Sequence, residues 1–486
     1  MVSQFVIFPE WSSRLIKSHF PHRPFIPGSI ILMPMNPIDR LRLLIGEGKV
    51  ITDEERLIPY SHDASDAPPV MPRAVVFPES TEDVEKIVNL LYREQIPITP
   101  RGMGTSLSGA SVPTPGGVVV SFERMNRILE LDTENLTITV EPGVITGDLI
   151  RAVESENLFY PPDPASLETC TIGGNVAENA GGPRAFKYGT TKHYVLEVEA
   201  VVEDGKRLTT GKKTKKWVVG YDLPQLLTGS EGTLGLFTHI SLRLLPKPPS
   251  TFTLLAAFGS EADAARSVSR IIRNGLLPSA MEYVDRKCIE AVGQEIAPFL
   301  PAGTGAILLI EFDGFGPEFE SQVERTYELM EKDGVMEVFV ASDSATREKL
   351  WRARRNVLPS LEKLGKKIRH EDVVVPRSRI PDLVEYARLV EERTGLMLAT
   401  FGHAGDGNIH VNILYGEGQE TLMEQAVDMI IEKVWELGGT AAGEHGIGLL
   451  KKKHLYRELD PLSIELQKAI KGIFDPLSLF NPDKVF

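Results

Sequence analysis

The sequence predicts an α+β protein in two sheet-bearing parts, and three observations carry that reading. From Arg73 onward, short apolar runs alternate with amphipathic helical stretches. Pro246, Pro248 and Pro249 then interrupt the chain, as at a boundary. Beyond them strand and helix signals repeat in longer units, the pattern of an antiparallel sheet with helices on one face. A chain of 486 residues is also longer than one core usually organises, so two or three domains are expected.

The elements follow in order. "RAVVFP" (73–78) reads as a strand and "STEDVEKIVNLLYREQ" (80–95) as a helix. Ser80 is placed to cap it, Asp83 stands where a capping box needs a carboxylate, and Val84, Ile87, Val88 and Leu91 form its buried stripe. "IPITP" (96–100), "GVVVSF" (117–122), "ILELD" (128–132) and "LTITVEPG" (136–143) are strands, and "TGDLIRAVESEN" (146–157) is a helix. "VLEVEAVVEDGKRL" (195–208) is a hairpin turning at Asp204–Gly205. In the second part "TFTLLAAF" (251–258) and "GAILLIEFDG" (305–314) are strands. "SEADAARSVSRIIRNG" (260–275) and "EFESQVERTYELMEK" (318–332) are helices, and the segment 451–486 is helical before its end in "FNPDKVF". The chain thus divides into 35–248, 249–450 and 451–486.

Composition excludes several classes. A net charge of −14 does not suit non-specific nucleic-acid binding. The two cysteines, Cys170 and Cys288, exclude a disulfide framework, a Cys-ligated zinc site and a Cys-bound iron–sulfur cluster. Low cysteine use fits a reducing compartment, so a cytoplasmic location is expected, peripheral to a membrane only through a partner. No apolar run reaches the roughly 18 residues of a transmembrane span. The first 34 residues are aromatic, Pro-interrupted and poor in acid, without the features of a signal peptide; a transit peptide is the weaker alternative. They read as an N-terminal extension, and translation is expected to start at Met33 or Met35. The basic cluster "KRLTTGKKTKKW" (206–217) reads as a solvated loop, with a docking surface for an acidic partner as the alternative.

Three glycine-rich stretches carry the first functional signal. "PRGMGTSLSGASVPTPGG" (100–117) brings Gly102, Gly104 and Gly109 together with Arg101, Thr105, Ser106 and Ser108. Its backbone can approach a phosphate closely and its N–H groups can form an anion nest. It is not a dinucleotide fingerprint of the strand–helix type, and Ala110 stands where a nucleotide-triphosphate loop needs lysine. A plain surface loop explains this stretch equally well. "YPPDPASLETCTIGGNVAENAGGPRAFKYGTT" (160–191) tips the balance: it has little to bury, and irregular segments of that length are usually functional. "LLTGSEGTLGLFTHI" (226–240) adds a third such stretch, and together they fit a ligand larger than one nucleotide.

The second signal is "FGHAGDGNIHVNI" (401–413), a tight reversal flanked by His403 and His410. Directly opposed on a hairpin, they would share one face with Cβ atoms about 4.5–5.5 Å apart, as two ligands of one metal require. "GGTAAGEHGIGLLKKK" (438–453) supplies a third ligand, Glu444, on a glycine-rich loop. Two imidazoles and a carboxylate make an open site suited to Zn²⁺, Mn²⁺ or Fe²⁺.

These stretches together resemble the FAD-linked D-2-hydroxyacid dehydrogenases, which include glycolate oxidase catalytic subunits, D-lactate dehydrogenases and D-2-hydroxyglutarate dehydrogenases. They belong to the vanillyl-alcohol oxidase and p-cresol methylhydroxylase (PCMH) superfamily. The resemblance covers nearly all of the chain after Met35. It implies a two-subdomain PCMH-type FAD-binding domain, a ferredoxin-like antiparallel-sheet substrate (cap) domain, and a C-terminal segment that returns to the FAD domain. By that resemblance Arg101, Gly102, Gly104, Thr105, Ser106 and Gly109 hold the pyrophosphate. Pro162, Asp163, Thr171, Gly173, Gly174, Asn175, Gly181 and Gly182 line the flavin and ribityl chain. Glu231, Gly232 and Ile240 contact the adenosine side, and Asn481 lies near the flavin ring. Thr105 stands where some relatives carry a flavin-linked histidine, so FAD is expected to be non-covalent. His403, His410 and Glu444 align with metal ligands, and His445 with the catalytic base. Arg354 aligns with a substrate-binding arginine, with Arg352 and Arg355 as alternatives. A second cation falls at Arg369 or His370, where the pattern departs from the family.

The implied reaction is oxidation of a small D-2-hydroxy acid, glycolate or D-lactate, to the 2-oxo acid. Electrons would pass to a separate acceptor: an iron–sulfur subunit, an electron-transferring flavoprotein, a quinone or a cytochrome. A homodimer or hetero-complex is compatible with this reading. The main alternative is a non-redox flavoenzyme of the same fold resembling alkylglycerone-phosphate synthase.

Overall fold

Alternating strand and helix signals become three large sheets and a two-stranded ribbon, Leu158–Phe159 with Leu245–Pro246, in the computed structural model, which describes residues 35–314 and 319–486. The expectation for residues 1–34 lies outside the described residues. The first sheet has the spatial order Val50–Ile51, Ala74–Val76, Val118–Ser121, Ile98–Arg101, its last three strands parallel. The helix Thr81–Arg93 crosses between two of them, with Val84, Ile87, Val88 and Leu91 fully buried. Each such aliphatic side chain contributes about 1.5–3 kcal/mol on leaving water. Ser80 caps the helix, accepting from the Asp83 N–H at 3.2 Å. The capping box is not reciprocal: Asp83 accepts from the Glu79 N–H at 3.1 Å and pairs with Lys49 at 2.7 Å.

The second sheet is antiparallel, ordered Ile128–Asp132, Thr137–Val140, Leu236–Arg243, Val195–Val201, Arg207–Gly211. The third has seven antiparallel strands: Val335–Ala341, Ser250–Phe258, Ala306–Gly314, Ala280–Asp285, Met397–His403, Asn408–Tyr415, Lys367–Val374. Its helices cover both faces rather than one. Leu254, Ala256 and Phe258 join one apolar cluster with the helices Glu261–Arg273, Ile380–Thr394 and Glu420–Glu436. Leu255 points the other way, into a cluster with Arg286–Val292, Ser344–Arg355 and Val357–Glu362. The apolar run "TFTLLAAF", without polar alternation, is the sequence of a strand buried on both sides.

The C-terminal segment returns to the first sheet. The Asn481 N–H donates to the Ile98 carbonyl at 2.7 Å, and Phe480 is buried against Tyr92 with ring centroids 5.7 Å apart.

Candidate active site

The hairpin Met397–His403/Asn408–Tyr415 turns through residues 404–407 and sets the site. Its register places Phe401, not His403, opposite His410. The histidines are therefore diagonal neighbours on one face, with ring centroids 5.2 Å apart and planes nearly perpendicular. Each has a buried carboxylate directly across the adjoining strand pair: Glu282 faces His403 and Asp372 faces His410. His403 Nδ1 lies 2.8 Å from Glu282 Oε1, and His410 Nδ1 lies 3.4 Å from Asp372 Oδ1. The Glu282 contact fixes the tautomer that leaves His403 Nε2 facing Glu444, while His410 Nδ1 lies beside Asp372 without a hydrogen bond.

Three Nε2 atoms converge on Glu444 Oε1: His403 at 3.1 Å, His410 at 3.7 Å and His445 at 3.9 Å. Ligand atoms about 2.1 Å from one ion stand roughly 3.0–3.4 Å apart; the His403–Glu444 pair falls in that range and the His410–Glu444 pair lies just outside it, and the donor set of imidazoles and a carboxylate suits a divalent cation. Asp372, His410, Glu444 and His445 also bring ligand atoms within 4.8 Å of one another. The loop is held by Asp372, whose Oδ2 accepts from the N–H groups of Gly443, Glu444 and His445 at 3.0, 2.7 and 3.0 Å. Its Oδ1 accepts from Asn408 Nδ2 at 2.6 Å. Lys451 Nζ, buried, donates to the carbonyls of Ala441 and Asp372.

The charges follow from these contacts. Burial pulls His403 down, but Glu282 and Glu444 outweigh it and hold the imidazole well above its ordinary value. Burial pushes Glu444 up, and His403 and His410 overcome it, leaving the carboxyl at about 2. For His445 burial dominates and lowers the imidazole to about 4, so its ring is neutral at neutral pH.

The cluster closes one end of a cavity of about 490 Å³ whose wall includes all three glycine-rich stretches. From Met103 to Leu107 no backbone N–H donates to a protein acceptor among the described residues, a donor set that fits a pyrophosphate. Gly104 has φ +71°, and a Cβ there would fall 2.0 Å from Arg101 Nη2. A Cβ on Gly181 would lie 2.5 Å from Glu444 Oε2, so the second stretch meets the metal-type cluster. Asn481 Oδ1 is buried without a partner in the same wall, while its Nδ2 donates to the carbonyls of Ala110 and Glu231.

Of the residues expected at the site, Arg101, Gly102, Gly104, Thr105, Ser106, Thr171, Gly173, Gly174, Asn175, Gly181, Glu231, Gly232 and Asn481 line the cavity. So do Arg354, His370, His403, His410, Glu444 and His445. Gly109, Pro162, Asp163, Gly182 and Ile240 do not. Ile240 is buried within the second sheet, and Asp163 Oδ1 accepts from the Arg184 N–H at 3.2 Å. Two lining residues use their side chains differently from the expectation. Arg101 donates to the carbonyls of His62 and Pro59, bracing the loop rather than reaching out of it. Glu231 accepts from the N–H groups of Ile447 and Gly448 at 2.8 and 2.7 Å, anchoring the loop that follows His445.

The substrate-type cations are also distinguished. Arg354 Nη2 pairs with Glu282 Oε2 at 2.6 Å, its guanidinium stacks 4.6 Å from the Phe401 ring, and its Nε is buried without an acceptor. Arg352 is exposed, and Arg355 pairs with Glu348. Arg369 is held by Asp66 and Glu371 at 3.2 and 2.9 Å. His370 lines the cavity with Nδ1 2.8 Å from Asn412 Oδ1, and burial lowers its imidazole. Sequence reasoning missed Asp372, Glu282 and Lys451. The signal available for the first was "HEDVVVP", an acidic pair within the apolar strand Lys367–Val374.

The chain is similar to known proteins in sequence and in fold. Residues 72–211 match the family described as FAD binding domain, and residues 247–485 the family described as FAD linked oxidases, C-terminal domain. The chain is 42% identical over 430 residues to glycolate oxidase subunit GlcD of Bacillus subtilis, covering 88% of this chain and 92% of that one. It is 35% identical over 425 residues to a D-lactate dehydrogenase of Anaerostipes hadrus, covering 85% and 89%. A crystal structure of p-cresol methylhydroxylase with substrate bound has the same fold, with TM-score 0.77 at 17% identity over 92% of this chain and 96% of that one.

Proposed function

The chain belongs to the FAD-linked oxidases and is an FAD-linked hydroxyacid dehydrogenase; from that premise we propose that it oxidises a small D-2-hydroxy acid, glycolate or D-lactate, to the 2-oxo acid. The observation that carries the proposal is the convergence of three imidazole Nε2 atoms on Glu444 Oε1 in the cavity lined by the glycine-rich loops. His403, His410 and Glu444 would hold a divalent cation, and Gly102 to Ser106 with Gly173–Asn175, Gly181, Gly232 and Asn481 would hold non-covalent FAD. When bound, the cation supplies Lewis-acid polarisation of the substrate oxygens and FAD supplies the hydride acceptor.

The chain's own residues do the rest. His445, neutral at neutral pH, accepts the hydroxyl proton at Nε2, the ring nitrogen on the Glu444 side. Asp372 positions it through the backbone of the 443–445 turn. Arg354, which lines the cavity, orients the carboxylate through its guanidinium, with Glu282 holding that group in place. His370 closes the same end as a neutral polar group. No cation at this end is left for a second carboxylate among the described residues: Arg355 and Arg369 are paired, and burial lowers His370. That supports a monocarboxylate over D-2-hydroxyglutarate. The same reading assigns 35–248 to the cofactor, 249–450 to the substrate cap and 451–486 to the returning segment. The electrons leave to a separate acceptor: an iron–sulfur subunit, an electron-transferring flavoprotein, a quinone or a cytochrome.

An anaerobic absorbance scan tests the function. Flavin bands should bleach with glycolate or D-lactate, resist L-lactate, and cease to bleach after chelation. A flavin spectrum unmoved by every hydroxy acid refutes the proposal and favours the transferase-like alternative. Acid precipitation should release the flavin into the supernatant; flavin retained in the pellet would refute non-covalent binding.

A further inference from the structure

The loop from Lys212 to Asp222 follows the edge strand Arg207–Gly211 and takes no part in lining the cavity. It carries Lys212, Lys213, Lys215 and Lys216, then Trp217, Val218, Val219 and Tyr221. Lys213 pairs with Glu130 at 2.6 Å. Lys212, Lys215 and Lys216 are exposed and form no ion pair among the described residues. The turn itself is ordered: the Thr214 N–H donates to the Lys212 carbonyl at 2.7 Å, and Thr214 Oγ1 donates to the Lys216 carbonyl at 3.0 Å. Val218 is 93% exposed, Val219 73% and Tyr221 92%. A cluster of free lysines beside bare apolar side chains stands out on a chain of net charge −14.

Two kinds of partner could neutralise those lysines, an acidic protein or an anionic lipid surface. The exposures decide between them. A side chain more than nine-tenths exposed stands clear of its neighbours and contributes to no flat patch; it leaves water only if the partner closes around it. A fluid interface does so without a preformed pocket. The composition agrees, because protein interfaces enrich arginine and deplete lysine. Lysines next to tryptophan, tyrosine and aliphatic residues are instead the makeup of membrane-interface segments. No helix among the described residues is long and apolar enough to cross a membrane, so such a contact is peripheral.

We propose that the loop Lys212–Tyr221 docks the protein on an anionic lipid surface, with the lysines against the headgroups and Val218, Val219 and Tyr221 inserted at the interface. This contact is independent of the substrate reading, since none of its residues belongs to the cavity.

The test is sedimentation of the full-length, FAD-loaded protein with phosphatidylcholine vesicles, with and without phosphatidylglycerol, at low and high salt. The protein should pellet only with the anionic vesicles and return to the supernatant at high salt. Each lysine near such a surface contributes roughly fivefold to partitioning. The combined Lys212→Ser, Lys215→Ser and Lys216→Ser variant should therefore bind roughly a hundredfold more weakly. The Val218→Ser, Val219→Ser and Tyr221→Ser variant should weaken binding even at low salt. Both variants should keep the wild-type flavin spectrum and melting temperature, so lost binding cannot be ascribed to misfolding. Wild-type protein that stays in the supernatant with anionic vesicles at low salt overturns the proposal, as does an acidic protein partner bound through the loop in its place. Variants that pellet like the wild type overturn it equally.

Discussion

Replacing Asp372 by asparagine removes one charge while keeping the shape, and the structure says what that costs. Asp372 Oδ2 accepts three N–H groups from the 443–445 turn, and Oδ1 accepts from Asn408 and faces His410 Nδ1. An asparagine cannot serve both sides. With its oxygen toward the turn, its NH₂ meets the Asn408 NH₂ and forces His410 Nδ1 to accept. Turned the other way, it leaves three buried N–H groups unpaired. Hydrogen bonds to a charged group contribute about 1.5–3 kcal/mol each, and part of this survives in the better orientation. We expect a net loss of about 2–4 kcal/mol in unfolding free energy. Loss of a carboxylate behind a ligating histidine typically weakens metal binding about 10–100-fold, and the same is expected here. Urea unfolding and a chelator-competition titration measure the two effects, with the flavin spectrum as a control for folding. Asp372→Asn protein with wild-type stability and wild-type cation affinity would refute the reasoning.

Other expectations follow from the same geometry. His445→Ala should keep its FAD and cation but lose turnover by about 10²–10⁴-fold; near-normal turnover in a steady-state dye assay would remove His445 from its role as base. Gly104→Ala should weaken FAD binding at least tenfold, since a side chain at φ +71° costs about 1–2 kcal/mol before it displaces Arg101. Gly48→Ala, where a Cβ meets nothing within 4 Å, is the control, and equal FAD affinities would contradict the close-approach argument. Cation binding should depend on pH through His403, whose raised pKa leaves it protonated in the cation-free protein at neutral pH. Ligation requires the neutral ring, so affinity should rise by about tenfold per pH unit until the pH passes that pKa. A titration showing pH-independent affinity below neutrality would count against His403 as a ligand.

What the sequence made legible is what lies close along the chain. The helix Thr81–Arg93 and its serine cap, the strand pairs, the hairpin at 403–410 and the glycine-rich loops all follow from local periodicity and turn chemistry. The covered second face of the large sheet is consistent with "TFTLLAAF", whose apolar run from Leu254 suits a strand buried on both sides. The register that pairs His410 with Phe401 was not legible, because a turn of four residues admits several pairings. Nor were the roles of Arg101, Glu231 and Arg369. A charged residue in a functional stretch reads as a ligand contact. Only the fold reveals that each is committed to a backbone or a carboxylate far away in sequence.

Glu231 shows why the glycine-rich loops and the proposed base, His445, cannot be separated. It sits in the third glycine-rich stretch, yet its carboxylate holds the Ile447 and Gly448 N–H groups, just after His445. The Leu449 N–H then donates to the Ser108 carbonyl of the first stretch at 2.9 Å. Asp372 pins the front of the same loop from the large sheet. The loop that presents Glu444 and His445 is therefore fixed at one end by the sheet bearing the histidines and at the other by the glycine-rich stretches. A shift of either support moves Glu444 relative to His403 and His410. It follows that a Glu231→Gln substitution, although outside the proposed ligand set, should weaken cation binding as well as FAD binding. One carboxylate charge facing two buried N–H groups is lost, and the amide can serve only one of them, so a weakening of about tenfold is expected for both. Isothermal titration of each ligand separately would measure this. FAD binding impaired with cation affinity untouched would mean that the two sites are held independently.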